Sequence, residues 1–193
     1  MNMINTAPAL SETDQLRADI YALLAALLRQ APAEELLTWL AGIEPDEDED
    51  TPMARAWKAL ALSARYSKPE QLDDEFHHLF IGVGRGELLP YGSYYLTGFL
   101  NEKPLAKLRN ALGELGIERR PDVKEPEDHV GTLMEVMEGL ILGRFGEAQD
   151  LATQKAFYQD HIELWAPHFF ADLEKAEHSK LYQPLGTIGT VFL

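Results

Sequence analysis

The sequence predicts an all-α protein, on three observations. Apolar residues recur every three to four positions through most of the chain, which is the spacing of one helix face. Serine, threonine, proline and glycine stand where helices would begin and end. No convincing alternation of apolar and polar residues lies between turn signals, so we expect no strands. The predicted fold is therefore a single helical domain.

The first two helices have clear boundaries. Residues 1–11 read as a short flexible lead, and Ser11 and Thr13 are candidate N-caps. The apolar face of the first helix comprises Leu16, Ile20, Leu23, Leu24, Leu27 and Leu28. A second helix ends at Gly42, and the acidic run that follows, EPDEDEDTP, is typical of a solvated loop because its charges repel one another.

The next helices lead to a glycine-rich loop. Thr51-Pro52 begins a third helix, and a fourth starts near Lys68 and runs to Gly82. The loop 82–92 follows, then the segment SYYLTGFL. A further amphipathic helix has Leu105, Leu108, Leu112 and Leu115 on one face.

A polar, proline-bearing connector at 119–127 is the best candidate for a lobe boundary or hinge. We therefore expect an N-terminal lobe at 1–118 and a C-terminal lobe at 128–193. Pro126 suits the first turn of a helix. The apolar stripe of that helix comprises Val130, Leu133, Met134, Met137, Leu140 and Ile141. One or two more helices and a closing segment, SKLYQPLGTIGTVFL, complete the chain.

Composition limits the kinds of partner. The formal net charge is -15 over 193 residues, which disfavours nucleic acid and anionic membrane surfaces as partners. It favours a cationic partner, although acidity that serves only solubility is an equal alternative. There is no cysteine, so disulfides and thiolate chemistry are excluded. The first fifteen residues lack the pattern of a secretory signal, and no apolar run reaches membrane-span length, so we expect a cytoplasmic protein without stable membrane insertion.

Familiar catalytic motifs fit poorly. Gly86 is followed by Glu87, where a phosphate-binding loop needs lysine, and a carboxylate there repels phosphate. Ser93 lies in G-S-Y, outside the nucleophile elbow of hydrolases. Glu75 and His78 form one E-x-x-H pair, whereas di-iron bundles use two. We therefore expect neither an enzyme nor a metal site, and the alternative is a helical-bundle metal protein or enzyme built on Glu75 and His78.

A binding module remains. Tyr91, Tyr94 and Tyr95 offer apolar area and hydroxyls that can hydrogen-bond a peptide, although a core role for them is equally compatible with their spacing. Asp128 and His129 stand at the start of the second-half helix. An acidic, aromatic-rimmed groove would suit a peptide that is basic at one end and apolar beyond it.

Three blocks of sequence resemble one known family. The first block, EFHHLFIGVGRGELLPYGSYYL (75–96), resembles the signature of the TorD/DmsD/NarJ redox-enzyme maturation chaperones, on the TorD/DmsD side. The second block, EPEDHVGTLMEVMEGL (125–140), is similar to the E-P-x-D-H segment of that family. The third block (157–186) is similar to its C-terminal pattern, F-x-x-x-H-x-x-x-W. The order and spacing of all three make the resemblance specific.

The resemblance implies an all-helical fold of about ten helices and a non-catalytic cytoplasmic chaperone. Such a chaperone binds the twin-arginine leader of a molybdopterin-containing oxidoreductase, resembling DMSO or TMAO reductase or formate dehydrogenase, until the cofactor is inserted. The body of the client is a further expected contact. The resemblance also implies a monomer or a domain-swapped dimer that hinges at the connector, no resident cofactor, and weak binding of GTP.

Site residues are carried over from the resemblance. The helix positions that match the leader groove are Phe76, Leu79 and Phe80. The matching loop positions are Gly84, Pro90, Tyr91 and Ser93. The acidic and imidazole pair of the second block is Asp128 and His129. Asp128 is expected to pair with a leader arginine, and His129 to hydrogen-bond that arginine or peptide carbonyls. The resulting cleft should lie between the first and second blocks, and Trp165 should support the fold.

Two residues depart from the family pattern. Val83 and Leu89 stand where the family often has proline, so we expect a less rigid loop.

Overall fold

A computed structural model of the protein describes residues 10–44 and 49–193. Within those residues the chain forms ten α-helices and no β-strand, so the all-α prediction is confirmed. The predicted lead at 1–11 lies mostly outside the described residues, as does the middle of the acidic run at 45–48. The helices are α1 (Glu12–Arg29), α2 (Glu34–Ala41), α3 (Pro52–Tyr66), α4 (Pro69–Phe76), α5 (Gly92–Thr97), α6 (Lys103–Glu114), α7 (Val130–Leu142), α8 (Leu151–His161), α9 (Ala166–Lys175) and α10 (Tyr182–Phe192).

Two of the helix starts predicted from sequence are confirmed by side-chain caps. The Ser11 hydroxyl accepts a hydrogen bond from the backbone N–H of Asp14 at 3.1 Å. The Thr51 hydroxyl does the same for Ala54 at 3.1 Å, with Pro52 in the first turn of α3. Each such cap contributes about 1 kcal/mol, because it satisfies a donor that the helix cannot pair internally.

A widened turn ends the fourth predicted helix. After α4, residues His77–Ile81 form a π-helical turn that stops at Gly82, where φ is +61°. The stop at Gly82 is as predicted, but the widening is not. It coincides with the loop folding back: the backbone N–H of Glu87 donates to the His78 carbonyl at 3.0 Å, and that of Leu88 donates to the Leu79 carbonyl at 2.8 Å.

The core draws on both halves of the chain. Helix α1 packs mainly against α7, and α10 packs against both α9 and α3. The approach of α10 to α9 is close, since a Cβ at Gly189 would lie 2.2 Å from Cδ1 of Phe170. Every α-helix contributes residues to one hydrophobic cluster or to the partly buried side chains packed around it. The division into two lobes at 119–127 stays a prediction.

Within the described residues, no helix combines the length and apolarity that crossing a membrane requires.

Candidate functional site

The glycine-rich loop and the second block contact each other through their backbones. The N–H of Val130 donates to the Pro90 carbonyl at 2.8 Å, and the N–H of Gly92 donates to the Asp128 carbonyl at 2.9 Å. Tyr91 and His129 form an isolated antiparallel bridge between these bonds. The two blocks therefore lie side by side.

The side chain of Asp128 fixes the start of α5. Its Oδ2 accepts a hydrogen bond from the backbone N–H of Ser93 at 2.7 Å. Asp128 is only 3% exposed and Ser93 is 0% exposed. The Asp128 Oδ1 and the Ser93 hydroxyl have no hydrogen-bond partner within the described part of the chain. A buried carboxylate oxygen without a donor is costly, so Asp128 retains an unused capacity to accept a hydrogen bond.

Neighbouring carboxylates in the second block are already engaged. Glu125 accepts a hydrogen bond from the Tyr91 hydroxyl. The pKa of Tyr91 is raised, mainly by burial and secondly by this hydrogen bond. Glu127 accepts two bonds from the Arg109 guanidinium, at 2.8 and 3.0 Å. Asp128 is therefore the buried carboxylate of this segment that has an oxygen without a donor.

His129 is held neutral. Its Nδ1 accepts the backbone N–H of Gly131 at 3.1 Å, which caps α7, and its ring lies edge to face with that of Tyr91 at 5.3 Å. Burial, and then the charge of Arg29, lower its pKa to about 4. At neutral pH the imidazole therefore carries no charge.

The helix residues assigned to the groove lie largely in the core. Leu79 is 0% exposed, and Phe76 and Phe80 are half-buried and pack edge to face at 5.0 Å. Both phenylalanine rings also contact Tyr182. Gly84 is exposed in the loop, with φ of +91°. The contact of these four positions with a leader stays a prediction, and Leu79 could act only through packing.

One cleft collects residues from all three blocks. It has a volume of about 420 Å³, within the range of ligand sites in proteins. The first block contributes Gly92 and Leu96, the second contributes Asp128, and the third contributes Asp160, His161, Leu164 and Trp165. Thr97 and the α6 residues Lys103, Pro104, Lys107 and Leu108 complete the lining. We call it the three-block cleft.

Trp165 forms a rigid part of the wall. It is 1% exposed, and its indole N–H donates to the His161 carbonyl at 2.7 Å, which agrees with its expected supporting role. Gly92 lets α5 approach this ring, because a Cβ at Gly92 would lie 3.0 Å from it. Burial and the nearby charge of Lys107 lower the pKa of His161.

The rim combines apolar side chains and charges. Leu96 and Leu164, which both line the cleft, are 43% and 65% exposed. Lys107 Nζ lies 2.8 Å from Asp160 Oδ1. The rim thus offers both an apolar surface and an exposed ion pair.

Sequence reasoning missed much of this lining. The spacing Phe157, His161, Trp165 marks one helical face, so Asp160 and Leu164 could have been placed beside it. Lys107 carries no such signal, because α6 lies outside the three blocks.

The metal-centred alternative gains no support. Among the residues that the structure describes, no group of three or more histidine, aspartate or glutamate side chains is arranged to hold a metal ion. The Glu75 carboxylate instead accepts the backbone N–H groups of Lys180 at 2.7 Å and Tyr182 at 3.1 Å. His78 Nδ1 lies 2.6 Å from the Asp74 carbonyl oxygen.

Comparison with known structures defines the class of fold. The chain matches the crystal structure of an Archaeoglobus fulgidus protein proposed to act in redox enzyme maturation, with a TM-score of 0.57 over 99% of this chain and 97% of that one. Sequence identity is 16%, so this match shows the fold alone.

The sequence then identifies the family. Residues 46–171 match the family described as nitrate reductase delta subunit, and the chain belongs to that family. The chaperone protein TorD of Photobacterium profundum is 27% identical over 174 residues, covering 81% of each protein. The chaperone protein TorD of Vibrio cholerae serotype O1 is 25% identical over 197 aligned positions, covering 93% of this chain and 90% of that protein. The resemblance to the TorD/DmsD/NarJ family is confirmed.

Proposed function

We propose that this protein is a maturation chaperone that binds the twin-arginine leader of a molybdopterin-containing oxidoreductase. Family membership and the relatives named TorD support a chaperone of molybdoenzyme maturation. The observation that carries leader binding is the convergence of all three sequence blocks on the three-block cleft.

The chemistry of the cleft suits a leader that is basic and then apolar. Asp128 has an unpaired carboxylate oxygen, and Asp160 adds a second carboxylate at the rim. A guanidinium presents a planar fork of donors that matches a carboxylate. The exposed leucines, Leu96 and Leu164, can cover the apolar stretch that follows the arginines. The net charge of -15 would speed the encounter with a cationic segment.

The other loop positions act on the shape of the site. Pro90 and His129 hold the first block against the second through backbone and ring contacts. Ser93 supplies the N–H that orients Asp128. In this proposal His129 is neutral, so it contributes hydrogen bonding and packing and adds no charge.

The proposal extends to the location, the cofactor content and the client of the chaperone. The chaperone is non-catalytic, works in the cytoplasm without a resident cofactor, and acts on a DMSO reductase-like, TMAO reductase-like or formate dehydrogenase-like catalytic subunit. Contact with the client body, weak GTP binding and a domain-swapped dimer stay predictions. A GTP titration followed by tryptophan fluorescence and a sedimentation measurement would test the last two.

Titration of the purified protein with synthetic leaders tests whether it binds a twin-arginine leader. We expect a twin-arginine leader to bind with a Kd of about micromolar or lower, and a leader with both arginines replaced by glutamine to bind at least roughly tenfold more weakly. Affinity should fall as salt rises, because screening weakens charge pairing. Equal affinity for the two leaders would contradict the proposal.

Variants locate the site. Asp128→Asn keeps an oxygen for the Ser93 N–H but removes the charge, so it should weaken binding of the arginine leader. Asp50→Asn makes the same charge change at an exposed ion pair outside the cleft and serves as the matched control. If both variants weaken binding equally, the leader does not bind at the three-block cleft.

A further inference from the structure

An ion pair stands at the rim of the three-block cleft. Lys107 lies on α6 and Asp160 on α8, and Nζ and Oδ1 are 2.8 Å apart. Both side chains are 60% exposed, and both line the cleft. The hydrogen bond and charge of Lys107 lower the pKa of Asp160. Because exposed pairs are weak, this one can open when a better partner arrives.

Two adjacent arginines need two separate acceptors. In an extended peptide, successive side chains point to opposite faces, so neighbouring guanidinium groups diverge. One carboxylate can receive one guanidinium in the two-bond arrangement, which leaves the second arginine without a matching partner. The cleft provides carboxylates on two different elements, Asp128 before α7 and Asp160 at the end of α8.

The two carboxylates differ in how they are occupied. Asp128 is buried and has an oxygen without a donor. Asp160 is exposed and already holds a cation that belongs to the chaperone itself. An incoming arginine therefore meets no competing donor at Asp128 Oδ1, although it must reach a buried oxygen, whereas at Asp160 it must displace Lys107.

We propose that Asp160 is the acceptor for one of the two leader arginines and that Lys107 competes with the leader for it. This inference rests on the proposed function. If a leader lysine replaced Lys107 at Asp160, one ammonium would exchange for another and little would be gained. A leader arginine would gain a second hydrogen bond to the carboxylate in the same exchange. Lys107 thereby favours arginine over lysine in the leader.

The two members of the pair should respond in opposite directions. Lys107→Met removes the competitor, so the twin-arginine leader should bind roughly two- to fivefold more tightly, and a lysine-substituted leader should gain at least as much. Asp160→Asn should weaken binding of the twin-arginine leader roughly three- to tenfold. Asp160→Asn should have little effect on the binding of a leader in which the arginine that pairs with Asp160 is replaced by glutamine. Replacing each leader arginine in turn shows which of the two pairs with Asp160.

Matched controls remove the effect of net charge. Lys155→Met and Asp50→Asn make the same charge changes outside the three-block cleft, and thermal unfolding of all four variants should stay close to that of the parent because the altered side chains are exposed. If Lys107→Met binds no more tightly than Lys155→Met, or Asp160→Asn no more weakly than Asp50→Asn, the inference is overturned. That result is distinct from failure of the proposed function, in which the parent protein would not bind the twin-arginine leader at all.

Discussion

The carboxylate of Asp128 accepts a hydrogen bond from the backbone N–H of Ser93 at 2.7 Å, and this bond joins the segment before α7 to the start of α5. The residue expected to bind an arginine therefore also holds two walls of its own site together. A substitution at Asp128 changes both stability and binding, so the two effects need to be separated by measurement.

Asp128→Ala should lower the free energy of unfolding by about 1–3 kcal/mol, because it leaves the buried N–H of Ser93 without an acceptor. Asp128→Asn should cost less, since its amide oxygen can still accept that bond. Urea unfolding of both variants checks the difference. Equal losses would show that the Ser93 contact contributes little to stability.

Protonation of His129 should destabilise the fold at low pH. Its pKa is lowered to about 4 in the folded protein, against about 6.5 in an unfolded chain. Between these values the unfolded state binds more protons, so the stabilising contribution is present above about pH 6.5 and is lost as pH falls to about 4. The full contribution is on the order of 3 kcal/mol.

His129→Asn tests this pH dependence. Asparagine is a good N-cap, so it can accept the Gly131 N–H in place of the imidazole while it removes the titrating group. Other titrating groups, among them His161, remain the same in both proteins. The difference in unfolding free energy between parent and variant should therefore change between pH 7 and pH 4, and a constant difference would contradict the assignment.

The glycine-rich loop should be held by Glu87. Its carboxylate accepts the backbone N–H of Glu177 at 2.6 Å and that of His178 at 3.2 Å, and it lies 2.9 Å from His178 Nδ1. Burial raises the pKa of Glu87, but these bonds outweigh burial and lower it overall. Glu87→Gln should speed amide hydrogen exchange at residues 177 and 178 and in the loop while α1 and α7 stay protected. Unchanged exchange there would show that the carboxylate does not anchor the loop.

The sequence predicts local features well and their partners less well. Ser11 and Gly82 are recognisable because capping and left-handed backbone depend on the residue itself. The π-helical turn before Gly82 escapes prediction because two of its carbonyls, those of His78 and Leu79, accept N–H groups of Glu87 and Leu88 from the returning loop.

The candidate site shows the same division. The three blocks predict that Asp128 belongs to the site, but the residue type cannot show that one oxygen is used by Ser93 and the other is unpaired. Leu79 reads as a groove residue from its motif position, yet the packing of the turn buries it completely. Lys107 lines the cleft because of how α6 packs against other helices, and the residue spacing within α6 does not indicate that packing.

The apolar rim of the three-block cleft should contribute to leader binding independently of charge. Leu96 and Leu164 are 43% and 65% exposed, so their truncation leaves no core cavity, and stability should change little. Covering their exposed surface with the apolar part of a leader would stabilise the complex by about 25 cal/mol per Å² buried. Leu164→Ala should therefore weaken binding of a full-length leader roughly two- to fivefold. A shortened leader that keeps the arginines but lacks the apolar stretch should bind parent and variant equally. Leu151→Ala truncates a leucine of similar exposure outside this cleft and is the matched control. If Leu164→Ala weakens binding of the full-length and the shortened leader equally, the apolar stretch binds elsewhere.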